Sequence, residues 1–339
     1  MTQPPSTLNL AWWLNRWRTM FVIRVAEETI AQLVSSGEAR CPCHLYIGQE
    51  AVAAGVCSAL GREDSVWGGH RSHGHYLAKG GSLEALFAEI LGRTTGCSGG
   101  RGGSMHLIDR QHGILGAVPT VAATVPLAAG AALAYKMRAE PRVAVAFFGD
   151  GALEEGQVHE TLNLAALYRL PLIFVCENNL YASHLHWSDR RLTDNLDQAG
   201  AFHSVPGERL DGNDVEAVFQ ATAAAVERAR AGAGPTFLEC RTFRWRGHVG
   251  ASFDLDVGLK RRGELAEWLL EDPVSRCEER LADMGARSLA AEKEAVREGI
   301  AAALAAARAA PEPEPARMLE YVWASTEYRA SQEEAECAP

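Results

Sequence analysis

The chain has 339 residues, 47% hydrophobic and 22% charged, the composition of a globular protein long enough to bury a large core. Its formal net charge of −10 argues against a general nucleic-acid role, which needs a basic face. No apolar run approaches the roughly 20 residues of a membrane-spanning helix, and the eight scattered cysteines read as reduced, buried thiols suited to the cytoplasm. Arg16 and Arg18 interrupt the apolar residues between Trp12 and Val25, so this segment does not read as a signal peptide. It reads as an amphipathic helix from Leu10 to about Val34, with Trp13, Trp17, Met20 and Ile23 at helical spacing. Cys41-Pro42-Cys43 follows, without the second cysteine pair a zinc site would need. His44 then leads through Gly48-Gln49-Glu50-Ala51 into a helix over 50–60.

Between Ser65 and His75, Arg71 stands among His70, His73 and His75. Such a cluster suits an anion, because arginine forms charge-assisted hydrogen bonds with phosphate. A helix over 82–91 precedes the run Gly96 to His106, GCSGGRGGSMH. That run lacks the spacing of a dinucleotide fingerprint or a Walker loop, and alone it implies only a flexible loop. Residues 122–136 are Ala-rich, a composition that permits a wholly buried helix, and Pro119 and Val121 lie just before them.

The most informative stretch runs from Val143 to Tyr181. A continuous apolar run, 143–148, predicts a strand buried on both faces, and it breaks at Gly149-Asp150-Gly151. Val158, Leu162 and Ala165 then mark one face of a helix that ends near Arg169, before Pro171. A second apolar run, 172–176, stops at Glu177-Asn178-Asn179. Strand, helix and strand make a parallel crossover that sets Asp150 and Asn179 at neighbouring carboxyl ends, where open parallel sheets place ligands. A carboxylate and an amide oxygen there are hard donors suited to magnesium and a diphosphate. Gly149 and Gly151 allow a tight turn and close approach of a phosphate to the backbone. Farther on, Asp214 caps a helix over 215–230, and 236–240 reads as another buried strand leading to Arg244-Trp245-Arg246-Gly247-His248. From Glu264 to Ala309 the pattern is mostly helical, followed by the stiff acidic linker 311–315 and an apolar cluster at 318–323.

Asp150 and Asn179 stand 29 residues apart, and the pattern resembles the thiamine diphosphate signature of GDG followed about thirty residues later by NN. Four further blocks resemble, in order, those of one family: His44 to Ala51, His70 to His75, Arg101 to His106 and Arg244 to His248. That family is the alpha subunit of the two-subunit first component of 2-oxoacid dehydrogenase complexes, of pyruvate, branched-chain or acetoin type. The resemblance implies an α/β thiamine-diphosphate-binding fold, with a mostly parallel sheet flanked by helices and helical extensions at both ends. It divides the chain into a helical segment (1–60), a cofactor-binding core (61–250), a second helical segment (251–325) and a disordered tail (326–339). It further implies that Asp150, Asn179 and the Tyr181 carbonyl ligate magnesium. His44, His70, Arg71, Val121, Gly149, Gly151, Ala152 and His248 contact the cofactor, and His248 and His73 assist proton and acyl transfer.

In this family the glutamate that activates the aminopyrimidine ring comes from a beta subunit, in a complex of two alpha and two beta chains. The acyl unit passes to a lipoyl group on a separate acyltransferase. Several positions depart from the pyruvate-type pattern: His70 for tyrosine, Pro119 for glycine, Val249 for a phosphorylated serine, and no Tyr-Arg pair after His248. Pro119 keeps a carbonyl but no amide donor. Decarboxylation of a small 2-oxoacid, with pyruvate favoured, is the expected activity; an acetoin-cleaving or carboligase activity is the alternative.

Overall fold

Short apolar runs alternating with amphipathic helices can bury both faces of their strands as a parallel sheet between helical layers. The structure, a computed structural model, describes residues 8–255 and 259–317. Its helices are α1 (Leu10–Ser35), α2 (Glu50–Ser58), α3 (His73–Ala78), α4 (Leu83–Ile90), α5 (Thr124–Met137), α6 (Gly156–Leu167), α7 (Val215–Arg230), α8 (Leu259–Trp268), α9 (Pro273–Asp283) and α10 (Ala290–Ala309). Its strands are β1 (Ser65–Gly68), β2 (Ile114–Ala117), β3 (Ala144–Gly149), β4 (Leu172–Asn178), β5 (Tyr181–Ala182), β6 (Leu185–His186), β7 (Gly207–Asp211) and β8 (Thr236–Arg241). Six of them form one sheet in the order β2-β1-β3-β4-β8-β7, and every pairing in it is parallel. The α/β architecture expected from the sequence is present.

The central strands are the residues that water leaves entirely. Ala144 to Phe147 in β3 and Leu172 to Cys176 in β4 are fully buried, as befits a sheet covered on both sides. The caps follow side-chain chemistry: Asp214 accepts from Glu216 and Ala217 to start α7, and Asp272 accepts from Val274 to start α9. One apolar cluster runs from Trp13 in α1 through the sheet to Ala307 in α10. The flanking helical segments therefore share the core rather than forming their own.

Several details differ from the sequence reading. Helix α5 buries only one face, since Leu127 and Met137 are exposed; small side chains permit burial but do not require it. Strands β1, β2 and β7 escaped notice because each has four or five residues and a weak apolar pattern; in β7 only Leu210 is buried. The apolar cluster at 318–323 and the tail lie outside the described residues.

Candidate functional site

The strand order reverses between β1 and β3, so the chain leaves their carboxyl ends toward opposite sides and a crevice opens between the two connections, the usual ligand position in open parallel sheets. A cavity of about 270 Å³ opens there, lined by Arg71 from beyond β1, Gly149 to Ala152 beyond β3, Asn179 and Tyr181 beyond β4, and His248 beyond β8. The strand–helix–strand unit at its centre spans β3, α6 and β4 in register, with Ala144 opposite Leu172 and Gly149 opposite Glu177. That register delivers the polar residues following the two strands to the same edge of the sheet.

The first corner of the cavity carries the oxygen donors. Asp150 is 1% exposed, and burial raises its pKa above the ordinary carboxylate value against the lowering pull of Arg190. Its carboxylate accepts from Arg190, which also bonds Glu154, and its backbone carbonyl accepts from Arg191. The Asn179 side-chain oxygen accepts from the Tyr181 N–H at 3.3 Å, while its amide donates to Gln49 at 2.9 Å. Gln49 itself is fully buried, and its own Nε2 has no partner among the described residues. A carboxylate, an amide oxygen and a backbone carbonyl suit a hard divalent ion, and an unpaired buried N–H in the same wall suits a diphosphate oxygen. The residues present thus fit a metal-bound diphosphate, provided Arg190 shares or yields the Asp150 carboxylate.

The second corner is cationic and histidine-rich. Arg71 is buried and donates to the carbonyls of Leu45 and His248, the latter at 3.0 Å, tying two distant loops to its own. Around it gather His44, His70 and His248, with ring centroids 4.6, 5.0 and 5.3 Å apart in pairs. Their nearest nitrogens lie within 4.8 Å of one another, a spacing that a metal ion could use. The adjacent guanidinium makes an anion the better guest. Burial, reinforced by the charge of Arg71, lowers His44 to about 3, His70 to about 2 and His248 to about 4.

All three rings are therefore neutral at neutral pH. In the unfolded chain they titrate near the ordinary imidazole value of about 6.5, so between that value and their depressed ones the unfolded state binds more protons. Their stabilising contribution is complete above about pH 6.5 and is lost as pH falls toward 4. The thermal midpoint is expected to drop between about pH 7 and about pH 5, and the drop should be shallower in a His70→Asn variant. Scanning fluorimetry across that window checks it; equal slopes for both proteins would refute the assignment.

The loops that carry these histidines are shaped by two glycines. Gly48 has φ +99°, and an added Cβ would overlap the carbonyl oxygen of Phe243; Gly247 packs against the Asp254 carboxylate. Asp254 in turn accepts from the His248 N–H at 2.7 Å. The Tyr-Arg pair missing after His248 has a substitute: buried Arg261 donates to the carbonyls of Arg244, Trp245 and Arg246 at 3.0, 3.3 and 2.8 Å.

Two expectations need correcting. His73 does not reach the cavity. It is fully buried, with one ring nitrogen 3.0 Å from Glu27 and the other 2.8 Å from the Ser104 hydroxyl, which leaves no nitrogen for acid–base work. The glycine-rich run, which alone implied only a flexible loop, has a defined fold outside the cavity. It wraps around the Glu89 carboxylate, which accepts from the backbone N–H of Ser98, Gly100, Gly102 and Gly103 at 2.7, 2.9, 2.6 and 3.1 Å. An internal carboxylate fills this nest of backbone N–H donors. Val121 does line the cavity, with its carbonyl taken by Gln157 at 3.0 Å. Sequence reasoning missed Gln49, His75, Glu177 and Arg190. Glu177 lies on the cavity wall, bonded by Tyr46 and, at 3.0 Å, by His75. The signals were there for three of them: Gln49 stands in the block His44 to Ala51, His75 in the cluster around Arg71, and Arg190 in the doublet Arg190-Arg191 shortly after Asn179.

The family described as dehydrogenase E1 component matches residues 18–316. The acetoin:2,6-dichlorophenolindophenol oxidoreductase alpha subunit of Bacillus subtilis (strain 168) is 39% identical over 314 residues, covering 92% of this chain and 93% of its own. The pyruvate dehydrogenase E1 component alpha subunit of Rhizobium meliloti (strain 1021) is 42% identical over 273 residues, 80% and 78% of the two chains. That of Zymomonas mobilis (strain ATCC 31821 / ZM4 / CP4) is 46% identical over 237 residues, 69% and 67%.

Proposed function

The chain belongs to the dehydrogenase E1 component family, and on that footing we propose that it is the alpha subunit of a two-subunit complex. It is a 2-oxoacid dehydrogenase that depends on thiamine diphosphate and a divalent metal. We take the metal to be magnesium, the substrate to be pyruvate or a close relative, and the acyl acceptor to be lipoamide on a separate acyltransferase. A beta subunit completes the enzyme, in a complex of two alpha and two beta chains. The cytoplasm is the proposed location; among the described residues no helix is long and apolar enough to cross a membrane.

One observation carries this reading: Asp150 and Asn179, at the ends of adjacent strands, face Arg71 and His248 across a single cavity. When bound, thiamine diphosphate supplies a nucleophilic carbon and an electron sink. Asp150, Asn179 and the Tyr181 carbonyl would hold the metal, and Arg71, Gln49, Gly151 and Ala152 the diphosphate. His248 and His70, neutral beside Arg71, would offer ring nitrogens at the cavity wall to hydrogen-bond and orient the reacting groups. In this chain Glu177 is bonded to Tyr46 and His75, which supports a partner as the source of the carboxylate that activates the aminopyrimidine ring.

Co-expression with the beta chain tests the proposal. Turnover of pyruvate with an artificial electron acceptor is expected only when beta subunit, thiamine diphosphate and magnesium are all present. Full turnover by the alpha chain alone would overturn the partner assignment, and acetoin turnover far above that of pyruvate would overturn the substrate.

A further inference from the structure

Cys41-Pro42-Cys43 lies outside the cofactor cavity, and no step above uses it. The two sulfurs are 3.8 Å apart. Cys43 is buried, whereas Cys41 is half-buried and opens on a second cavity, of about 870 Å³, beside Arg40, Glu89 and the glycine-rich loop. The Cys43 thiol bonds Cys41, and the Ser104 backbone N–H and the nearby His73 add to its effect; together they hold Cys41 down to about 6. The same bond, with burial, pushes Cys43 up. Burial opposes protonation of His73, but the Glu27 carboxylate raises it above the ordinary value. The pair thus has a half-buried Cys41 sulfur open to a cavity and a buried Cys43 sulfur 3.8 Å away, placed to resolve it.

This dithiol is joined to the cofactor cavity by a strap of five residues. The Cys43 carbonyl accepts from Gly250 at 2.8 Å, the Leu45 carbonyl from Arg71, and the Ile47 carbonyl from Trp245 at 2.9 Å. His44, the residue after Cys43, packs its ring on His70 and His248. A change in the position of Cys43 is therefore felt one residue away, in the histidine group beside Arg71.

We propose that Cys41 and Cys43 form a redox-active dithiol that closes to a disulfide under hydroperoxide and thereby shifts His44 from its packing against His70 and His248, which line the cofactor cavity. In the first step the Cys41 thiolate attacks a peroxide oxygen; the O–O bond breaks, a sulfenic acid forms, and the leaving oxygen is protonated to water or an alcohol. In the second step Cys43 sulfur attacks the Cys41 sulfur; the S–O bond breaks, and the departing hydroxide takes the Cys43 proton and leaves as water. Two thiols are oxidised and one peroxide is reduced. Closing the sulfurs from 3.8 Å to the roughly 2.0 Å of a disulfide pulls on the strap. A ring this small is strained, which keeps the bond easily reducible.

The test uses the assembled alpha–beta complex treated with hydrogen peroxide, alkylated and digested without reductant. A peptide linking Cys41 to Cys43, having lost two hydrogens, is expected. Thiamine diphosphate affinity or turnover should fall at least about tenfold and recover on addition of dithiothreitol. Cys41→Ser and Cys41→Ala should both resist peroxide, whereas Cys97→Ser should respond like the parent. In the untreated complex Cys41 should alkylate roughly a hundredfold faster than Cys97, whose thiol burial pushes up to about 11. Oxidation of Cys41 only to sulfinic or sulfonic acid would overturn the disulfide. A linked peptide with unchanged cofactor affinity and turnover would overturn the coupling to the cavity, and parent-like peroxide sensitivity in the two Cys41 variants would overturn the assignment to this pair.

Discussion

Replacing Asp150 by alanine is expected to weaken binding of thiamine diphosphate with magnesium by at least about a thousandfold, because a metal ligand supplies several kcal/mol and each 1.4 kcal/mol is about tenfold. The carboxylate is 1% exposed and directly follows β3, at the cavity. The fold should survive the change: Arg190, which bonds Asp150, keeps its second partner in Glu154, and the β3 residues themselves remain buried. Asp150→Asn preserves the shape and removes the charge, and should lose most of the same affinity. Calorimetry of the alpha–beta complex measures both. Cofactor affinity in Asp150→Ala within about threefold of the parent would show that the metal is held elsewhere.

The second large effect concerns His248. Its structural bonds are made by the backbone: the N–H donates to Asp254 and the carbonyl accepts from Arg71. Its ring faces the cavity, and its nearest polar contact is the Ser183 hydroxyl at 3.5 Å. Truncation to alanine therefore removes the ring and leaves the loop anchored. If His248 moves a proton in the reaction, kcat should fall about a hundredfold to ten-thousandfold while cofactor affinity changes little. His73→Ala should behave in the opposite way. Its ring bonds Glu27 and Ser104 out of contact with the cavity, so the loss appears in the thermal midpoint before it appears in kcat. Equal losses of kcat in the two variants, at equal stability, would remove the distinction.

The central unit was legible because its signals are local. Two continuous apolar runs, the glycines around Asp150 and the amide at Asn179 each follow from residues within a few positions of one another. A parallel crossover leaves little choice about where the strand ends lie. The grouping of His44, His70 and His248 could be named only through the family resemblance. Nothing in the residues themselves says that positions about two hundred apart share one wall, and that contact depends on Arg71 bonding the Leu45 and His248 carbonyls.

The chain order of apolar and polar residues thus determined the α/β class, the strand–helix–strand unit and the oxygen donors at its edge, since burial and turn formation act over short stretches. Only the tertiary structure decided which histidines face the cavity, that Glu89 fills the glycine-rich nest, that Arg261 secures the His248 loop, and that Arg190 reaches Asp150. Those outcomes depend on side chains from separate elements finding partners for buried polar groups. Such pairings form across long sequence separations, where no local pattern records them.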